Sequence, residues 1–172
     1  MNWETSPAAT ELEEKIMIWL RDLIGLPGNF EGVIQDSAST ATLAAIITAR
    51  EKATAFTANE EGIGSGRTLR VYCSSQAHSS VEKGVRISGI GRKNLVKIPV
   101  RDDFSMDPDR LAAAIEEDKR NGYLPCCVIA TVGTTGTTAV DPVRPIGEMC
   151  RKKDLWLHVG AAMAGTALIL PE

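Results

Sequence analysis

Apolar residues recur at helical spacing near the start of the chain, where Leu12, Ile16, Trp19, Leu20 and Leu23 fall on one stripe. Ser6-Pro7 precedes them, with the serine placed to cap and the proline at the first helical position, so a helix opens there. Gly25 and Pro27 end it. A second helix is predicted from Asp36-Ser37 through ATLAAIITAREKATAF, and its small apolar residues predict burial. After the glycine-rich stretch EGIGSGRT the rhythm changes to short apolar runs alternating with helical segments. Residues 69–74 read as a strand, 79–88 as a helix and 95–100 as a second strand. Asp107-Pro108 caps the helix DRLAAAIEEDKR, which Asn121-Gly122 closes. Residues 126–131 are β-rich without alternation, as in a strand covered on both faces. Residues 142–153 are helical and 155–159 form a further strand. Strand and helix in this alternation predict parallel βαβ units, hence an α/β fold with a mainly parallel sheet flanked by helices. Ligands of such sheets sit beyond the carboxyl ends of the strands, so the loops that follow strands are where chemistry is expected.

Composition adds limits. The 172 residues are 44% hydrophobic and 24% charged, the balance of an ordinary globular domain. Nineteen basic and 22 acidic residues leave a net charge of −3, which gives no electrostatic footprint for nucleic acid or an anionic membrane. No apolar run approaches the roughly 20 residues of a spanning helix. The acidic opening MNWETSPAATELEEK lacks the plan of a secretory signal. Cys73, Cys126, Cys127 and Cys150 form no CxxC pair and, with two histidines in the chain, no metal-ligand spacing. They read as free thiols in or near buried strands, which fits a cytoplasmic protein.

Three loops carry candidate chemistry. Asp36-Ser37-Ala38-Ser39-Thr40 opens the second helix, and small hydroxyl residues at a helix N-terminus suit a phosphate as well as they suit plain capping. Ser74-Ser75-Gln76-Ala77-His78-Ser79-Ser80 follows a strand, and its imidazole can meet a planar ligand or serve the local structure. Gly133-Thr134-Thr135-Gly136-Thr137-Thr138 also follows a strand; it can bond a phosphate or simply turn the chain.

Taken together, the phrases SPAATELE, GVIQDSASTATL, SSQAHSSVEKG, IATVGTTGTTAVDP and LWLHVGAAMAG followed by LPE resemble, in order, the pyridoxal-dependent group II amino-acid decarboxylases. The branch that acts on aromatic amino acids looks most similar. The resemblance implies a type I pyridoxal 5′-phosphate (PLP) enzyme fold, of which residues 1–172 would be an incomplete large domain. An N-terminal arm, the segment with the cofactor-holding lysine and a C-terminal small domain would lie outside it. It implies that Ala38 and Ser39 hold the cofactor phosphate and that Thr135 adds a contact near the cofactor. His78 would stack on the pyridine ring and help position the substrate carboxylate, the one catalytic assignment. Ala162 would pack on the opposite ring face, and His158 would be structural. It further implies an amino-acid substrate and a homodimeric parent protein, while the missing metal-ligand spacing predicts no bound metal.

One position departs from the pattern. Where the family phrase reads HVDAA, this chain reads His158-Val159-Gly160-Ala161-Ala162, so the aspartate beside the pyridine nitrogen is Gly160. None of Lys83, Lys93 and Lys97 matches the family's lysine motif. Two readings follow: the cofactor-binding part of a decarboxylase, inactive alone, or a non-catalytic relative that binds PLP weakly or serves as an association module. An aminotransferase or desulfurase is disfavoured by the SSQAHSS and HVxAAxAG wording.

Overall fold

A computed structural model describes residues 3–64, 66 and 68–170. Ser65 and Arg67 of the glycine-rich stretch, and Pro171 and Glu172 of the LPE phrase, lie outside the described residues. The chain divides into two compact units, residues 37–163 and residues 1–36 with 164–172.

The larger unit is an open sheet between two helical layers. Its elements are α2 (Ala38–Ala53), α3 (Ala58–Glu61), β1 (Leu69–Ser74), α4 (Ser79–Ile87), β2 (Leu95–Ile98), α5 (Pro108–Arg120), β3 (Leu124–Thr131), α6 (Val143–Lys153) and β4 (Trp156–Gly160). The four strands are all parallel, in the order β2-β1-β3-β4. Side chains alternate between the two faces. Val71, Cys73, Cys127 and Ile129 meet Ile46 and Ala49 of α2 and Val81 and Val85 of α4. Tyr72, Val128 and Ala130 meet Leu111 and Ile115 of α5 and Ile146 and Cys150 of α6. The crossover through α4 therefore lies on one face, and those through α5 and α6 on the other. The connections diverge between neighbouring strands β1 and β3, the switch point at which open α/β sheets form crevices.

β3 is buried except at its half-buried end residues Leu124 and Thr131, as its unbroken apolar run predicts. Its register against β1 slips between Pro125 and Cys127, so Cys126 is the extra residue of a bulge. This lets two successive cysteines join the same core cluster. All four cysteines are free and buried. Burial pushes the thiols of Cys73 and Cys126 up to about 12 and that of Cys150 to about 11, and it raises Cys127 as well. Such thiols are poor nucleophiles at neutral pH.

The helices show where local signals fail. α2 stops at Ala53 rather than running on to Phe56, because Ala55 and Phe56 take left-handed backbone angles. The short α3 carries no periodic signal. Asp107 caps α5 as expected, accepting from the amides of Asp109 and Arg110. In the smaller unit, α1 (Pro7–Leu23) forms where predicted, but the Ser6 side chain makes no capping bond. The predicted apolar stripe is exposed, with Trp19 at 58% and Leu23 at 66%, whereas Thr10 and Glu13 are buried. The chain after α1 folds back along it: the Ile34 amide donates to the Glu13 carboxylate at 2.6 Å and the Arg21 guanidinium to the Gly28 carbonyl at 3.1 Å. None of the described helices is long and apolar enough to cross a membrane.

Candidate functional site

A cavity of about 440 Å³ lies at the carboxyl ends of β1, β3 and β4, within the size range of small-molecule sites. Ala38, Ser39, His78, Gly133, Thr135, Gly160 and Ala162 all line it. The structure thus brings together every site residue anticipated from the sequence, from positions 124 residues apart.

Each wall has a local cause. α2 opens with a capping box in which the Ser37 hydroxyl accepts from the Thr40 amide and the Thr40 hydroxyl from the Ser37 amide. The amides of Ala38 and Ser39, next in line, have no acceptor within the helix, and the helix dipole makes this end attractive to an anion. His78 is itself the N-cap of α4: its Nδ1 accepts from the Ser80 amide at 3.2 Å and lies 3.0 Å from the Ser80 hydroxyl. The structural and the functional readings of this residue therefore coexist. With Nδ1 engaged as an acceptor, the neutral ring carries its proton on Nε2, leaving that N–H as a donor.

Gly133 adopts φ +80°, which a side chain would disfavour. It begins a closed loop. The Thr134 hydroxyl is buried, accepts from the Ala139 amide at 3.1 Å and lies 2.7 Å from the Thr137 hydroxyl. Thr135, one residue on, is turned out and exposed along the cavity.

β4 supplies the floor. His158 faces α2, with Nε2 3.5 Å from the Thr42 hydroxyl, which donates to the Ala38 carbonyl at 2.9 Å. Gly160 follows two residues later on the same face. Its missing Cβ would sit 3.8 Å from the Ala130 carbonyl, an ordinary contact, and its φ is not left-handed. A side chain at this position is therefore allowed. Neither an acidic residue nor a lysine or arginine lines the cavity among the described residues. One residue that sequence reasoning passed over also shapes this end of the sheet: Asp141, fully buried below the threonine loop.

Burial holds the His158 imidazole below the usual 6.5, so it is neutral in the folded chain. The unfolded chain takes up a proton near 6.5 that the folded chain refuses. Stability is therefore expected to fall as pH drops below 6.5 and to stop changing once the folded ring titrates. The slope is at most about 1.4 kcal/mol per pH unit. Thermal melts between pH 5 and 8 test this, and His158→Gln should flatten the acidic limb; an unchanged profile in that variant refutes the assignment.

An open parallel sheet with a small-residue cavity at its switch point defines an α/β ligand-binding domain. Comparison with known proteins narrows the class. The profile described as "Pyridoxal-dependent decarboxylase conserved domain" matches residues 1–172, and the chain belongs to that family. It is 45% identical to histidine decarboxylase of Mus musculus, covering 99% of this chain and 27% of that protein. It is 42% identical to aromatic-L-amino-acid decarboxylase of Sus scrofa, covering 99% of this chain and 37% of that one. Among solved structures, tryptophan decarboxylase of Catharanthus roseus in complex with L-tryptophan superposes with a TM-score of 0.90 at 40% identity, covering 98% of this chain and 37% of that one. The chain thus spans about a third of the length of the relatives it matches, and the PLP-enzyme fold expected from the sequence is the one found.

Proposed function

We propose that this chain forms the cofactor-binding part of a PLP-dependent carboxy-lyase acting on an amino acid with an aromatic side chain, and that residues 1–172 do not turn over substrate by themselves. The observation that carries the reading is the single cavity that gathers Ala38, Ser39, His78, Thr135 and Ala162.

The residues fit the cofactor at its phosphate end and around its ring. Two helix-end amides, the Ser39 and Thr135 hydroxyls and the absence of a lining carboxylate among the described residues suit a phosphate. Ala38, Ala41, Ala161 and Ala162 leave room for a planar ring. When bound, the cofactor supplies the electron sink that loss of carbon dioxide requires. The chain's own residues then have limited tasks. Ser39 and Thr135 anchor the phosphate. His78 presents its Nε2–H toward a substrate carboxylate, held in place by Ser80. Ala162 keeps the opposite ring face clear. The largely apolar lining favours a neutral, flat side chain over a charged one, which supports an aromatic substrate.

Gly160 supports the second half of the proposal. By resemblance this position faces the ring nitrogen, and among the described residues no lining carboxylate takes its place. Among the described residues no lysine lines the cavity to hold the cofactor covalently. The same two facts favour the second reading, a non-catalytic PLP-binding relative or association module. In the whole protein a second copy would cover the exposed apolar side of α1, giving the homodimer implied by the resemblance; four free thiols suit a cytoplasmic setting.

Equilibrium titration tests the phosphate seat. The chain should bind PLP more tightly than pyridoxal. Ser39→Ala and Thr135→Val should each weaken PLP about tenfold, the worth of one hydrogen bond to a charged group, and leave pyridoxal unchanged. Equal losses for both ligands would sink the assignment. Incubation with PLP and aromatic amino acids should release no amine, and amine formed by the purified chain would overturn its inactivity.

A further inference from the structure

We propose that Asp141 is a positioning residue that fixes the loop of residues 132–140 in the shape that presents Gly133 and Thr135 to the cavity. That the loop receives a phosphate rests on the function proposed above; that Asp141 shapes the loop does not.

Asp141 is 1% exposed. Its Oδ2 accepts from the amide of Thr131, the last residue of β3, at 2.8 Å, and its Oδ1 from the Met106 amide at 2.7 Å. Its own amide donates to the Thr131 carbonyl at 2.9 Å. The two ends of the loop are thereby clamped to each other and to the strand of chain that pairs Met106 with Val100. Above the clamp the loop closes on itself, since the amides of Gly133 and Thr134 both donate to the Ala139 carbonyl. The Val132 amide donates to the Gly160 carbonyl at 2.8 Å, which ties the loop base to the end of β4.

A buried carboxylate with no described cation paired to it is costly, and desolvation holds the Asp141 carboxyl above its ordinary range, partly offset by its two amide donors. An asparagine would fill the same space without that cost. What aspartate offers instead is two acceptor oxygens for two amides that point inward from different segments. Asparagine has one acceptor, and its amide group would face a second N–H. The carboxylate is therefore explained by the clamp, and the clamp by the loop it closes.

Hydrogen–deuterium exchange on the 172-residue chain without ligand reads the clamp directly. In Asp141→Asn, the amides of Gly133, Thr134, Thr138 and Ala139 should exchange about tenfold faster, with β1 and α4 changed less. Loop exchange equal to wild type, or a uniform rise throughout the larger unit, overturns the proposal. The second readout is ligand preference. The variant should lose several-fold of the wild-type preference for PLP over pyridoxal while binding pyridoxal normally. A loosened loop with the preference intact overturns the link to the cavity. If the wild type itself binds both alike, the phosphate seat is wrong, and exchange alone decides the clamp. Should the asparagine variant not fold, Asp141→Glu keeps the charge and displaces the acceptors by one bond, with the same readouts and the same overturning results.

Discussion

Replacing Gly160 by aspartate should tighten PLP binding to this chain by tenfold or more. The backbone permits it: Gly160 is not left-handed and its Cβ would meet only the Ala130 carbonyl at 3.8 Å. The register of β4 directs it. His158 and residue 160 share the face turned to α2, and both line the cavity. The resemblance puts a carboxylate from this position beside the cofactor's ring nitrogen, where it favours the protonated ring. Each pKa unit gained corresponds to about 1.36 kcal/mol, a factor of ten in affinity for that form. Because no other acid lines the cavity among the described residues, none of them already supplies the effect. The control is Gly160→Asn, equal in size and without charge. Titrations of both variants across pH 6 to 9 should show tighter binding for aspartate alone, with a weaker dependence on pH than wild type. Equal dissociation constants for the two variants would show that the ring nitrogen lies elsewhere.

The same comparison explains what the sequence could and could not say about the site. Ala38, Ser39, His78, Thr135 and Ala162 stood in short phrases after strands or at a helix start, and topology alone brings such segments to one edge of a parallel sheet. β1 was legible to the residue because its apolar run ends in serines that start a loop. The end of α2 was not, since Ala55 and Phe56 are ordinary helix-compatible residues held in left-handed turns by bonds to Lys52 and Glu51. The stripe on α1 correctly announced a helix, but periodicity says only that a face is apolar and nothing of what covers it. Asp141 escaped notice for a related reason. An Asp-Pro pair reads as a helix start, whereas its work depends on amides 10 and 35 residues away, and no local pattern encodes such partners.

At the opposite end of β1, Asp118→Ala should cost about 3–5 kcal/mol, the usual result of removing one member of a buried charged network. Asp118 is 8% exposed and sits on α5, from where it accepts the Tyr72 hydroxyl at 2.8 Å. Its other oxygen lies 3.4 Å from Nε of Arg70 on the same strand. Tyr72 is fully buried, and desolvation together with the carboxylate drives its phenol well above the ordinary range, so the hydroxyl keeps its proton and needs an acceptor. Arg70 is held over the Tyr123 ring at 3.8 Å and donates to the Lys93 carbonyl, but among the described residues Nε finds no hydrogen-bond partner and has the charge of Asp118 beside it. Alanine would therefore strand a hydroxyl and a guanidinium at once. For a chain of this size the loss corresponds to a fall in Tm of about 6–20 °C. Asp118→Asn, which keeps an acceptor for Tyr72, should cost less than half as much. Tyr72→Phe removes only the hydroxyl and should cost about 1 kcal/mol. Combining Tyr72→Phe with Asp118→Ala should be less destabilising than the sum, because the phenylalanine no longer needs the lost partner. Strict additivity, or an alanine variant within 1 kcal/mol of wild type, would mean that α5 is held to the sheet by its Leu111 and Ile115 contacts alone.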